Sequence, residues 1–331
     1  MALSNSFDFT LTRDTCIQEA LQQLGVIGAG ETPSSADYTD CAVTLNLMLK
    51  AWQNKEVAQN LIRRFYVFLN DDQREYTLST TAANSAPSCY NFYTDTLAAD
   101  YVDGGTTLTV TTGTGAADGD ELIVVPDSGV NGVSDVESGG TTTTLVVPDI
   151  NIDAESGKRY YAFTSRVARP VNIMYAERHL QPTSNGEDNV INTVSHRVKI
   201  GERRDWADLS AKHTEGATNM VWFNEGGNTG DWNDATLHVW PEPTGAQGEY
   251  LEIWGQYTID DLDASTNNFN LPSRWYLAVA FNLAKWVASK YGVSPQKKNY
   301  IAALAQESLD DAEMAETDNQ FQLMPDPHWR R

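Results

Sequence analysis

The sequence predicts an α+β chain, a helical bundle made of N- and C-terminal helix pairs packed on a β-sheet region, with a small all-β domain inserted. Three observations predict it. Near both ends apolar residues recur at three- and four-residue spacing, the period of a helix with one buried face. Between them, short β-branched and aromatic runs are bounded by Gly, Pro and Asn. Within that β region, residues 80–166 change composition to Thr, Gly, Ser and Asp.

The first helix is expected over 12–24, where Ile17, Ala20, Leu21 and Leu24 share a face, Thr12 is placed to cap the start and Gly25 the end. After the Gly28-Ala29-Gly30 loop, Ser34 or Ser35 caps a second helix with the stripe Tyr38, Cys41, Leu45, Met48, Leu49 and Trp52. The runs 64–69 and 75–78 read as a hairpin turning at Asn70-Asp71-Asp72-Gln73.

In the 80–166 segment, strands are expected at 106–112, 121–125, 141–147 and 159–164. Val124-Val125-Pro126-Asp127 returns as Val146-Val147-Pro148-Asp149, two strands that each stop where proline removes a ladder donor. Strands follow at 171–175, 219–223, 235–240 and 249–257, a region holding Trp222, Trp232, Trp240 and Trp254. Pro272 opens a helix that runs to Tyr291 before Gly292, apolar around most of its circumference and so buried on several sides. A last helix starts at Ser294-Pro295 and ends near Thr317, with Tyr300, Ile301, Leu304, Ala305, Leu309 and Ala312 on one face. The domain reading is a discontinuous core, 1–79 and 167–331, ending in an aperiodic arm over 318–331, with 80–166 as the inserted domain.

The 331 residues are 41% hydrophobic and 10% aromatic, enough to build sizeable cores. With 23 basic against 45 acidic side chains the formal charge is −22, which repels phosphate and disfavours nucleic-acid binding as the main activity. The opening MALSNSFDF has neither the basic nor the apolar stretch of a secretion signal, and no apolar run is long enough to span a bilayer. The three cysteines, Cys16, Cys41 and Cys89, are too scattered for a disulfide framework, so a reduced, cytoplasmic site of synthesis is expected.

The signatures of catalysis are missing. The sequence has no G-x-x-x-x-G-K-[ST] phosphate loop and no G-x-S-x-G nucleophile elbow. His179, His196, His213, His238 and His328 are widely spaced without a cysteine nearby, so no metal site is assigned. Asp149, Asn151 and Asp153 open like a calcium loop, but Ala154 replaces the glycine and Tyr160 the glutamate, so the segment reads as a polar turn. Gly25, Gly28 and Gly30 follow a helix rather than a strand and read as a terminator and tight turn, not a dinucleotide loop. Among many carboxylates, Glu177, Asp205 and Asp208 lie near aromatic residues and are the picks for an acid pair, although the reading assigns no catalytic residue and no cofactor. Residues 196–204 concentrate basic groups in Arg197, Lys199, Arg203 and Arg204, which fit intersubunit pairing better than DNA contact on so acidic a chain.

Three stretches together resemble a family. Ala20-Leu21-Gln22-Gln23-Leu24-Gly25-Val26, then Gly30-Glu31-Thr32, then Leu45-Asn46-Leu47-Met48-Leu49-Lys50-Ala51-Trp52 form the first. The second is the 64–78 run, followed by Arg169-Pro170-Val171-Asn172-Ile173 and by Leu237-His238-Val239-Trp240-Pro241-Glu242-Pro243. The third is Leu271-Pro272-Ser273-Arg274-Trp275-Tyr276 with Phe281-Asn282-Leu283-Ala284. In order and spacing these are similar to the tail accessory factors, the packaged-DNA-stabilising head-to-tail adaptors of short-tailed bacteriophages.

The resemblance implies a non-enzymatic virion protein, assembled in the host cytoplasm: a dodecameric connector ring docked on the portal protein. Packaged DNA passes through its lumen without sequence-specific contact, and tail hub or nozzle and fibre or spike proteins attach below. It also implies that the C-terminal arm reaches the portal, through Phe321, Leu323, Met324, His328, Trp329, Arg330 and Arg331. The alternatives are a virion-associated peptidoglycan hydrolase and a carbohydrate-binding tail module using the inserted β domain.

Overall fold

The computed structural model describes residues 9–53, 62–80, 86–113, 115–180, 194–226, 234–244 and 248–317. The chain divides into two compact units, a helical one from residues 1–61 and 258–331 and a β-rich one from 62–257. The helices are α1 (Arg13–Leu24), α2 (Ser35–Gln53), α3 (Arg203–Asp208), α4 (Tyr276–Val287) and α5 (Pro295–Thr317). All except α3 belong to the helical unit.

Local chemistry sets the ends of these helices. The Thr12 hydroxyl accepts the Thr15 N–H at 3.2 Å to start α1. Gly25, at φ +68°, ends it in the left-handed conformation, where a side chain would be strained. Ser34 and Asp37 form a reciprocal box at the start of α2: the Asp37 N–H meets the Ser34 hydroxyl at 3.2 Å, and the Ser34 N–H meets the Asp37 carboxylate at 3.2 Å. Pro272 precedes a 3-10 turn, Ser273–Trp275, before α4 begins.

One core joins the two ends of the chain. Ile17 and Leu21 of α1, Leu45, Met48 and Leu49 of α2, Val279, Leu283 and Val287 of α4, and Ile301 of α5 are all buried in it, around Trp275. Helix α4 packs on α1, α2 and α5, which accounts for its apolar circumference. Each such side chain contributes roughly 1.5–3 kcal/mol on burial. Polar ties cross the same gap: Lys50 Nζ lies 2.9 Å from the Ile259 carbonyl and 2.8 Å from Asp261, and the Tyr291 hydroxyl donates to Asp37 at 2.8 Å.

Among the described residues, fifteen strands build the β-rich unit. They are β1 (Ile62–Phe68), β2 (Glu75–Leu78), β3 (Ser88–Cys89), β4 (Tyr93–Thr96), β5 (Thr107–Thr109), β6 (Glu121–Val124), β7 (Gly132–Asp135) and β8 (Thr144–Val146), followed by β9 (Arg159–Phe163), β10 (Asn172–Leu180), β11 (Val194–Arg197), β12 (Lys199–Gly201), β13 (Met220–Asn224), β14 (Ala235–Trp240) and β15 (Tyr250–Gln256). A five-stranded sheet, β11-β10-β15-β1-β3, and a four-stranded sheet, β12-β13-β14-β2, contribute to one core. Phe65, Val67, Leu251 and Ile253 enter it from the first sheet, and Tyr76, Val221, Leu237 and Val239 from the second.

The expected hairpin between residues 64–69 and 75–78 is therefore a corner between sheets, since β1 pairs with β15 and β2 with β14. Tyr76 closes that corner from inside: its hydroxyl accepts the Asn70 N–H at 2.9 Å and donates to the Asn70 carbonyl at 3.3 Å.

The remaining strands form a four-stranded sheet, β4-β9-β6-β7, and the pair β5-β8, with a core of their own around Leu108, Leu122, Leu145 and Tyr160. A fourth cluster links this region to the five-stranded sheet, where Phe68 and Tyr250 meet Ile123, Tyr161 and Phe163. Aspartates hold its loops. Asp95 accepts the Thr112 and Gly113 N–H groups, Asp118 that of Gly140, Asp127 that of Glu155, and Asp149 those of Gly104 and Asn151. The repeated Val-Val-Pro-Asp thus ends two strands, β6 and β8, and places a capping aspartate after each.

These observations correct the expected fold class of a helical bundle packed on a sheet. The described chain is mostly β, with four sheets and only 27% helix. The physical reason is that a sheet's apolar face needs a cover but does not specify which kind. The expectation gave that role to the terminal helices, whereas the inward residues of β1 and β15 share a core with those of β13 and β14.

Candidate functional site

The basic stretch 196–204 runs through three elements. Arg197 ends β11, Lys199 opens β12 and Arg203 opens α3. Between the first two, buried Val198 carries the chain from the five-stranded to the four-stranded sheet, its N–H on the Ala176 carbonyl at 2.9 Å. Beside this crossover a cavity of about 470 Å³ opens between Tyr175, Arg197, Lys199 and Asn219.

Most of these cations have local counter-groups. The Arg197 guanidinium lies 5.5 Å from the centre of the Tyr175 ring. Lys199 Nζ is 2.9 Å from Asp205, and Arg204 Nε is 3.8 Å from Asp208. The Lys199 ammonium, with the Glu202 N–H, holds the Asp205 carboxyl below its usual range. Among the described residues Arg203 alone of the four has neither a paired carboxylate nor a ring beneath it. The stretch is charge-compensated, suited to specific protein contact rather than to a phosphate track.

Glu177, Asp205 and Asp208 do not converge. The last two sit on α3 with their cations, while Glu177 lies mid-strand in β10, hydrogen-bonded by the Tyr175 hydroxyl. Directly opposite it on β15 is Glu252, and His179 Nε2 stands 3.2 Å from Glu252 and 4.0 Å from Glu177. Arg64, 3.6 Å from Glu252, adds a cation. The resulting row, Arg197-Glu177-Glu252-Tyr66, crosses four strands. The alternation Tyr250, Glu252, Trp254 signals that Glu252 shares a face with its aromatic neighbours, but only the register reveals Glu177 as its partner.

On the four-stranded sheet, Trp222 and His238 are cross-strand partners with their rings stacked at 4.5 Å, and Trp206 of α3 lies 5.0 Å from His238. His213 Nδ1 is 2.9 Å from Glu242, and Arg74 contacts both Glu75 and His213. Among the described residues no three His, Cys, Asp or Glu side chains gather as a metal site. Asp149 and Asp153 accept loop N–H groups, as a polar turn requires. Cys16, Cys41 and Cys89 are buried free thiols. Among the described residues no helix is long and apolar enough to cross a membrane.

Phe321, Leu323, Met324, His328, Trp329, Arg330 and Arg331 lie outside the described residues. Trp232 does as well.

The sequence reading missed the outward surface of the helical unit. Val43 and Leu47, one turn apart on α2, are 57% and 61% exposed; Leu277 and Trp286 of α4 and Tyr300 and Met314 of α5 are also open. Scattered apolar residues are common on surfaces, but here they recur on three helices whose opposite faces are filled. Tyr300, expected on the buried face of α5 with Ile301 and Ala305, is 62% exposed while those two are buried. Comparison with models of known protein families gives no match. Comparison with curated proteins gives none either.

Proposed function

We propose that the chain is a structural virion subunit, a head-to-tail adaptor of a short-tailed bacteriophage. In this reading copies close into a ring beneath the portal protein, help to retain packaged DNA and offer attachment points to tail proteins. The observation that carries it is the helical unit: the two ends of the chain share one core and leave apolar side chains outward on α2, α4 and α5. A unit of that kind supports self-association, and head-to-tail contacts that close by rotation give a ring without open ends. The three stretches resembling the adaptor family add their order and spacing.

Charge supports the DNA part of the reading. Each chain carries −22, so an acidic bore lets DNA slide rather than stick. The compensated stretch Arg197-Lys199-Arg203-Arg204 fits contact with a neighbouring subunit. The test is to mix the purified chain with portal rings and count subunits by native mass spectrometry. A fixed, integral set of copies per portal ring is expected. A chain that stays off the portal, or that clears cell-wall suspensions on its own, ends this reading in favour of the hydrolase alternative.

A further inference from the structure

The run 194–201 is an edge twice over. β11 is the last strand of the five-stranded sheet and β12 the last of the four-stranded one, with only Val198 between them. Their hold on β10 is short: β11 pairs with it from Glu177 to Leu180, and the Val198 N–H adds one bond to the Ala176 carbonyl. Beyond that bond β10 continues to Asn172 with β15 on one side and, among the described residues, no strand on the other. Met174 falls in this open stretch, at the irregularity between Ile173 and Tyr175, and is 54% exposed. β12 likewise pairs with β13 on one side only. The cavity of about 470 Å³ is lined from β10 by Met174 and Tyr175 and from β12 by Lys199 and Ile200, so both open rims border it.

The polar groups around this cavity have donors in reserve. Arg197 lies directly opposite Glu177 on the β10–β11 ladder, yet the two form no ion pair among the described residues. Glu177 takes the Tyr175 hydroxyl, and the Arg197 guanidinium rests over the Tyr175 ring. A guanidinium held by a ring face leaves its N–H donors unused. Asn219 commits its carbonyl to the Lys199 N–H at 2.8 Å and its own N–H to Trp240 at 3.1 Å, while its side-chain amide makes no hydrogen bond among the described residues. Lys199 is paired with Asp205, but the two side chains are 64% and 41% exposed, where an ion pair is weak and exchanges readily.

Two features decide what fits. Open strand rims offer main-chain hydrogen bonds to an extended peptide, as when a strand is added to a sheet edge. Arg197 and the Asn219 amide, both without an acceptor, call for a carboxylate on the side chain that enters beside Tyr175 and Met174. A phosphate backbone fits worse, because Arg204 is already held by Asp208 and the chain carries −22.

We propose that the gap between β10 and β12 docks an extended, acidic peptide segment of a partner protein, which adds to the open rim of β10 and seats a carboxylate between Arg197 and Asn219. The cavity has the size of pockets that hold ligands, ~300–1,000 Å³. All its residues belong to the β-rich unit, so the site stands whether or not the chain closes into a ring.

The probe is a short blocked peptide alternating glutamate and valine, fluorescently labelled and titrated with the full chain by anisotropy. Its glutamine counterpart is expected to bind about tenfold more weakly, and Arg197→Ala to weaken the glutamate peptide by about the same factor. Arg197→Lys should recover only part, since an ammonium cannot grip a carboxylate through two parallel bonds. Backbone amides within 172–175 should gain hydrogen-exchange protection when the peptide is bound. Asn219→Ala removes a second donor from an exposed position and should also weaken binding, which keeps the test decisive if Arg197→Ala melts below the parent chain. Equal binding of the two peptides, full affinity in both alanine variants, or no binding of the glutamate peptide to the parent chain overturns the site. An oligothymidine strand that displaces the peptide and depends on Arg197 overturns it too, and assigns the gap to nucleic acid.

Discussion

The imidazole of His238 stacks on the indole of Trp222 at 4.5 Å, and among the described residues neither of its ring nitrogens is hydrogen-bonded. Trp206 covers the pair, and the Glu75 carboxylate stands 3.5 Å from Nδ1. Burial lowers the His238 pKa from 6.5 to about 4, against the pull of Glu75 and with a smaller push from Arg74.

That arrangement makes stability fall on mild acidification. The unfolded chain takes up a proton near pH 6.5, while the folded ring resists until about pH 4. Stability is therefore full above pH 6.5 and declines as the pH drops towards 4, by on the order of 2 kcal/mol after allowing for solvent near the ring. Thermal melts at pH 7.5 and pH 5 measure it. His238→Phe keeps an aromatic stack and should flatten the decline; an equal slope in both proteins removes His238 as its source.

Asp95 ties the β-rich unit's loops, and it too loses its contribution on acidification, at a lower pH. Burial acts to raise its pKa, but hydrogen bonds from the Thr112 N–H and hydroxyl and the Thr96 and Gly113 N–H groups outweigh it, and the carboxyl lies below its ordinary 3.8. Its contribution is present above that value and is lost as the pH falls through the folded value. Asp95→Ala should cost about 1–2 kcal/mol in urea unfolding at neutral pH, and Asp95→Asn, which keeps one acceptor, less. Equal losses for the two would show that the charge and not the acceptor matters.

Tyr76→Phe isolates the corner between sheets. The ring stays in place, but the Asn70 N–H and carbonyl lose their shared hydroxyl partner inside a residue that is only 8% exposed. A cost of about 1–3 kcal/mol follows from an unsatisfied buried donor. An unfolding midpoint within error of the parent protein would mean that the corner is held by the strands alone.

What the sequence disclosed and what it hid divide along the range of the interaction. Thr12, Gly25 and Pro295 mark helix ends because capping acts over three or four residues, and those ends fall where the pattern placed them. Asn70 to Gln73 looked like a hairpin turn for the same local reason, yet Tyr76 directs β2 into another sheet, a choice made by pairing with β14 far along the chain. Strands of two to four residues, such as β3, β7 and β12, are too short to show a period. In the basic stretch, Asp205 is visible six residues beyond Lys199, but Tyr175 reaches Arg197 only because β10 pairs with β11.

Asn282 is the polar tie within the helical core. Its side-chain amide donates to the Ala278 carbonyl at 2.9 Å and across to the Ala305 carbonyl of α5 at 3.0 Å. Asn282→Ala leaves a small cavity and removes one donor from each carbonyl, so a loss of about 1–3 kcal/mol is expected in chemical denaturation. Asn282→Leu, which restores volume but not the donor, should recover part of it. If the leucine variant is as weak as the alanine one, the hydrogen bonds rather than the packing hold α5 to α4.

Removing 318–331 tests whether the C-terminal arm serves docking rather than folding. The side chains that seat α5 in the helical core, Ile301, Ala305, Ser308 and Ala312, all precede the cut. The shortened chain should therefore keep its helical circular dichroism and melt within about 2 °C of the parent, since no buried apolar side chain of the described core is lost. If Trp329, with Phe321, Leu323, Met324, His328, Arg330 and Arg331, anchors the adaptor to the portal, the same chain should no longer co-sediment with portal rings, because a few aromatic and arginine anchors carry most of an interface's energy. Trp329→Ala alone should then weaken binding by tenfold or more, corresponding to at least ~1.4 kcal/mol. Co-sedimentation that survives the deletion would move the docking surface back to the outward residues of α2, α4 and α5. A melt that drops by ten degrees or more would assign 318–331 to the fold instead.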